Sequence, residues 1–113
     1  MSAPSCAAHA SPAFNAWMHE QCLAIAQAAR GALGENLVAI VLGGGYARGE
    51  GGVVRGPNGE ERPYNDVDFT VVVRRKEPGI ATALAPVSHQ FEKVLGIDVD
   101  FSRPLTVGDI QRW

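Results

Sequence analysis

The feature that most constrains this chain is a continuous apolar run that stops at three glycines. Residues 38–42 read Val-Ala-Ile-Val-Leu, Gly43, Gly44 and Gly45 follow, and then come Tyr46, Ala47, Arg48, Gly49 and Glu50. A short apolar run, β-branched in part, predicts a buried strand over 37–42. Glycine ends it, and backbone N–H groups bared after a strand form a nest for an anion. Without a Cβ, the backbone also lets a phosphate approach closely. Taken alone this is a weak signal. The spacing does not fit the GxGxxG turn of dinucleotide-binding domains, because a polar segment arrives before a long helix could form. The Gly-Lys-Ser/Thr of a P-loop is missing as well.

Acidic residues give the glycines a context. Asn65-Asp66-Val67-Asp68-Phe69 leads into Thr70-Val71-Val72-Val73, a predicted second strand over 67–73 closed by Arg74, Arg75 and Lys76. Asp66 and Asp68 are two apart, so they share one face, roughly 7 Å apart along the backbone. Carboxylates that close repel unless a cation or a proton lies between them. Ile97-Asp98-Val99-Asp100-Phe101 alternates apolar and acidic residues, which predicts a third strand over 97–101 with both carboxylates on one face. A helix between the second and third strands permits a parallel crossover that sets them side by side. A third carboxylate there would complete a cage for two divalent ions, with Asp98 and Asp100 as the candidates. Oxygen donors without His or Cys favour Mg²⁺ or Mn²⁺. The plainer alternative is a set of solvated acids on an exposed sheet face. An EF-hand is disfavoured, because Val67 and Phe69 flank the acids and no Gly and Glu follow at the loop spacing.

The rest of the chain supplies a scaffold. Residues 1–10 are rich in Ala, Ser and Pro and predict a flexible tail. Ser11-Pro12 is a helix start, a hydroxyl N-cap followed by proline at the first helical position. Phe14, Trp17, Met18, Cys22, Ile25, Ala29 and Leu33 then recur at helical spacing, up to a C-cap at Gly34. Residues 51–62 are polar and carry Pro57-Asn58-Gly59, predicting an exposed loop or hairpin. Residues 79–95 have helical tendencies broken at Pro86, so the helix is expected over 86–95 and ends at Gly96. Thr106 and Asp109 form a near capping box at a helix start. That helix has one turn before Trp113, so the chain reads as the N-terminal part of a longer protein.

At 113 residues the chain makes one domain, with 46% hydrophobic and 19% charged residues, as in globular proteins. A net charge of −2 gives no global pull toward nucleic acid or anionic membranes. Cys6 and Cys22 have no framework or CxxC spacing and read as reduced thiols. No apolar run approaches the roughly 20 residues of a membrane span, and the first residues do not form a signal peptide, so a cytoplasmic protein is the default. His9, His19 and His89 are isolated and receive no role.

The ensemble of Leu42-Gly43-Gly44-Gly45-Tyr46-Ala47-Arg48-Gly49-Glu50, Asp66-Val67-Asp68 and Val99-Asp100-Phe101 resembles the DNA polymerase beta-like nucleotidyltransferase superfamily. Gly-Tyr-Ala-Arg-Gly-Glu looks most like the minimal and the antibiotic nucleotidyltransferases. The resemblance spans residues 12–110 and implies an α+β nucleotidyltransferase fold, a small mixed sheet of at least three strands flanked by helices, over 11–113. It implies that Gly44 and Gly45 hold the triphosphate, with Arg48 adding a charge unless it pairs with Glu50 on the surface. Asp66 and Asp68 match the paired metal ligands, and Asp100 best matches the third carboxylate, which helps activate the attacking hydroxyl. Asp98 is the alternative. Two departures stand out: glycine replaces the serine common at position 45, and residues 51–64 lengthen the spacing to Asp66, expected as a loop near the site mouth.

The resemblance therefore implies Mg²⁺- or Mn²⁺-dependent transfer of a nucleoside monophosphate from an NTP, with ATP the expected donor, to an acceptor hydroxyl, releasing pyrophosphate. The acceptor is a small molecule or a protein. The alternative is an antitoxin-like minimal nucleotidyltransferase acting on or binding a partner toxin. A C-terminal domain is a further expected partner; nucleic acid and membrane are not expected.

Overall fold

The structure, a computed structural model, describes Ala7 and residues 10–111. In chain order the elements are α1 (Pro12–Leu33), a single 3₁₀ turn (Gly34–Asn36), β1 (Leu37–Gly43), α2 (Gly44–Ala47), β2 (Val53–Arg55), β3 (Glu61–Pro63), β4 (Val67–Val73), α3 (Ile80–Leu95), β5 (Val99–Phe101) and α4 (Val107–Gln111). This is an α+β domain built on a three-stranded mixed sheet with helices packed against it. The strand order is β1-β4-β5, antiparallel between β1 and β4 and parallel between β4 and β5. The α3 crossover makes the parallel pair possible, as its place in the sequence allows.

Helix α1 begins and ends at its sequence signals. Ser11 Oγ accepts the Phe14 N–H at 3.1 Å, Pro12 holds the first helical position, and Gly34 closes the helix at φ 62°. Phe14, Met18 and Ile25 of α1 meet Val87, Phe91 and Leu95 of α3 over Val67 and Phe69 of β4. Ala29, Leu37, Val71, Val73, Ile80 and Leu84 continue the same layer. Alternate residues of β4 thus fill the core, while Asp68 between them stays exposed. Cys22 packs half-buried against this core, and Cys6 lies outside the described residues. So does most of the expected tail; Ala7, which is described, is fully buried. Its N–H donates to Asn15 Oδ1 at 2.9 Å and its carbonyl accepts from Asn15 Nδ2 at 3.1 Å.

Three expectations are corrected. Residues 37–42 do form a strand, but not a buried one: Val38 and Val41 are 43% and 51% exposed. The reason is the face: Val41 is paired with Thr70 on the side of the sheet away from the core, whereas Leu37 and Ile40 oppose the buried Val73 and Val71. Helix α3 starts at Ile80 and runs through Pro86. Losing one helical hydrogen bond and crowding the preceding turn costs about 3 kcal/mol. Burial of Ile80 and Leu84 ahead of the proline, roughly 1.5–3 kcal/mol each, offsets that cost. Strand β5 is shorter than 97–101, so Asp98 precedes it and uses its carbonyl to accept the Val67 N–H at 3.0 Å.

Other expectations hold. Residues 51–62 contain the β2–β3 hairpin, with Gly59 at φ 83° donating to the Gly56 carbonyl. Thr106 and Asp109 cap α4 reciprocally, at 2.9 and 3.2 Å. Beyond the end of β4, Lys76 Nζ pairs with Asp109 Oδ2 of that cap at 2.8 Å. Among the described residues no helix is long and apolar enough to cross a membrane.

Candidate active site

The glycine turn and the aspartates meet at one end of the sheet. β1 runs into Gly43, which is extended, and the chain then turns through Gly44 at φ 72° into the single turn α2. Gly43 is the register partner of Asp68 on one side of β4, and Asp100 is its partner on the other. Gly43, Asp68 and Asp100 therefore form one row across all three strands. A Cβ placed on Gly44 would sit 3.3 Å from Asp68 Oδ2, so the glycine backbone lies directly against that carboxylate. The positive φ favours glycine at position 44, and a side chain there would also press on the Asp68 carboxylate.

Asp66, one residue before β4, is exposed like Asp68, while Val67 between them is buried. The predicted common face is therefore present. Asp66, Asp68, Gly45, Arg48, Glu50 and Asn65 line one cleft of about 440 Å³. Asp100 lies beside it through its register with Asp68, and it also lines a separate cavity of about 380 Å³ between α3 and β5. Glu92 of α3 helps set β5 there, accepting the Val99 N–H at 3.0 Å. Arg48 extends from the turn and donates through Nε to Glu50 Oε2 at 3.1 Å, both side chains being well exposed.

The electrostatics of this end of the sheet are one-sided. Partial withdrawal of the Asp100 carboxyl from water, followed by the charges of Asp68, Asp66, Asp98 and Glu92, pushes it above its ordinary range. Asp98 thus adds to the field without standing in the row. The donors suit a hard divalent cation, being carboxylates with no basic group in register with them. Among the described residues, however, no three His, Cys, Asp or Glu side chains are gathered as a metal site. Asp66 and Asp68 share a cleft, but the full three-carboxylate cage expected from the sequence is not assembled in these side-chain positions.

One residue at the site escaped sequence reasoning. Tyr46 on α2 is 2% exposed, and its Oη donates to the Gly52 carbonyl at 2.7 Å. The same oxygen accepts the Tyr64 and Asn65 N–H groups at 3.0 and 3.2 Å. Asn65 Oδ1 in turn accepts the Gly52 N–H at 2.6 Å. A phenol has one proton and two lone pairs, so this hydroxyl is fully used. The available signal was Gly51-Gly52, which no turn requires: a Cβ on Gly51 would lie 1.9 Å from Tyr46 Cδ1.

The long insert is also clearer. Its base borders the cleft through Asn65. Its far part reaches α1, where Glu61 accepts hydrogen bonds from the Ser11 N–H, at 3.0 Å, and from Ser11 Oγ. Those bonds, with Arg55 nearby, hold the Glu61 carboxyl below its ordinary range. The hairpin is thus a strap between the site and the helix N-terminus rather than a loop at the mouth alone. Comparison of the chain with protein-family models, curated proteins and solved structures found no match.

Proposed function

We propose that this chain is a metal-dependent nucleotidyltransferase of the DNA polymerase beta-like kind, moving a nucleoside monophosphate from an NTP to an acceptor hydroxyl. The observation that carries the reading is the row Gly43–Asp68–Asp100, with Gly44 packed against the Asp68 carboxylate. Three segments far apart in sequence meet at one end of the sheet, which supports a site for a triphosphate and its counter-ion.

Asp66 and Asp68 would hold Mg²⁺ or Mn²⁺, with Asp100 as the third carboxylate. The chemistry such an ion supplies is charge neutralisation of the triphosphate and a lower pKa for the attacking hydroxyl. Gly44 and Gly45 would bind the phosphates through backbone N–H groups, with no side chain in the way. Arg48 is held only by an exposed pair with Glu50, worth at most about 1 kcal/mol, so a phosphate can recruit it. Asp100 would take the proton of the acceptor hydroxyl. That oxygen bonds to the α-phosphorus as the bond to the β-phosphate oxygen breaks and pyrophosphate leaves. Positioning and charge carry most of the catalysis in this scheme. The test is transfer from labelled ATP or another NTP in the presence of Mg²⁺. Transfer is expected in the native chain and lost in Asp66→Asn or Asp68→Asn; equal turnover in both variants would remove the assignment.

A further inference from the structure

We infer that Tyr46 is a positioning residue that fixes Asp66 relative to the glycine turn; the inference rests on the function proposed above. Tyr64, Asn65 and Asp66 all have exposed side chains, so packing does not set the path of the chain between β3 and β4. Hydrogen bonds set it. The N–H groups of Tyr64 and Asn65 both point to Tyr46 Oη, and Tyr64 N–H also reaches the Gly52 carbonyl at 3.1 Å. Asp66 is the next residue along.

Tyr46 itself belongs to α2, the same turn that presents Gly44 and Gly45. Its ring is anchored in the main core with Phe14, Met18 and Phe69. One side chain therefore ties three things together: the core, the turn assigned to the phosphates, and the segment carrying the first metal ligand. Gly51 completes the arrangement, because its missing side chain leaves the space that the ring occupies. Losing a partner bonded directly to a ligand typically costs 10- to 100-fold in metal affinity; Tyr46 acts one step further out, through the backbone that carries Asp66, so about 10-fold is the ceiling for its loss.

The test is Tyr46→Phe in the full chain. The ring and its apolar contacts stay, and only the hydroxyl goes. Two measurements are needed: amide hydrogen exchange of the metal-free protein, and Mn²⁺ affinity by water-proton relaxation. The expected result is a folded variant in which the Tyr64 and Asn65 amides exchange faster and Mn²⁺ binds more weakly, by up to about 10-fold. A residue serving stability alone would lower the melting temperature and leave the Mn²⁺ affinity of the folded protein unchanged, and that result overturns the positioning role. Unchanged exchange at both amides overturns the clamp itself. Absence of Mn²⁺ binding by the native protein overturns the proposed function and the positioning role with it, while exchange still reads the clamp. Should Tyr46→Phe fail to fold, Asn65→Ala removes the parallel bond to Gly52 and is read by the same two measurements.

Discussion

Replacing Gly51 by alanine isolates the packing of the site from its chemistry. The backbone at Gly51 does not have the positive φ of Gly44 or Gly59, so alanine meets no conformational strain there. Space is the obstacle. The new Cβ would lie 1.9, 2.1 and 2.7 Å from Cδ1, Cε1 and Cγ of Tyr46. Carbon atoms prefer roughly 3.5–4.0 Å, so ring or backbone must move by about 1.5–2 Å. Hydrogen bonds of 2.7, 3.0 and 3.2 Å from the hydroxyl do not survive such a shift. Three bonds at about 1 kcal/mol each, with about 1–3 kcal/mol for overpacking and some relaxation, give a loss of roughly 3–5 kcal/mol. That is a large share of the ~5–15 kcal/mol a domain has. At about 4–8 °C per kcal/mol it lowers the melting temperature by roughly 12–40 °C. Gly59→Ala is the control: its φ is 83° and nothing lies within 4 Å, so it costs only the about 1–2 kcal/mol of a left-handed alanine. Urea unfolding followed by tryptophan fluorescence reads both. A loss below 1 kcal/mol at Gly51, or one no larger than at Gly59, refutes the packing described for Tyr46.

Two pH-dependent outcomes follow from the charges. Asp100 has a raised pKa in the folded state, so its contribution to stability is present below the unfolded value and lost as pH rises through the folded one. Asp100→Asn should therefore stabilise the metal-free protein at pH 7 by a few tenths to about 1 kcal/mol, and the gain should vanish below about pH 4; thermal melts at both pH values check it. Glu61 is shifted the other way, so the stability from its bonds to Ser11 is present above the unfolded value and lost as pH falls through the depressed one. Ser11→Ala should cost about 1 kcal/mol for the lost cap at any pH, and acid melts should show the further loss, from the bond to Glu61, disappearing as Glu61 takes up its proton.

What the sequence disclosed depended on how local the cause was. Ser11-Pro12, Gly34 and Thr106-Asp109 are caps made within one turn, and each was readable as such. The side-by-side placing of Asp68 and Asp100 was readable as a possibility, because a helix between two strands permits a parallel crossover; the antiparallel pairing with β1 that brings Gly43 into the row was not. The exposed face of β1 was not either, since a continuously apolar run does not say which of its faces meets the core. Nor was the run of α3 through Pro86, where tertiary burial outweighs a local penalty. Tyr46 was hidden for a different reason: its partners lie up to nineteen residues away, and only Gly51-Gly52 hinted at the space its ring needs.

The proposed function requires one end of the sheet to hold a cation between the glycine turn and the acidic strands. Paramagnetic broadening by substoichiometric Mn²⁺ with ATP, read at each backbone amide, is the decisive measurement. Gly44, Gly45, Asp66, Asp68 and Asp100 should broaden first, and Asp68→Asn should abolish the pattern. Broadening centred elsewhere, for example on Glu60 and Glu61 at the hairpin, or spread evenly over the exposed acids, would contradict it.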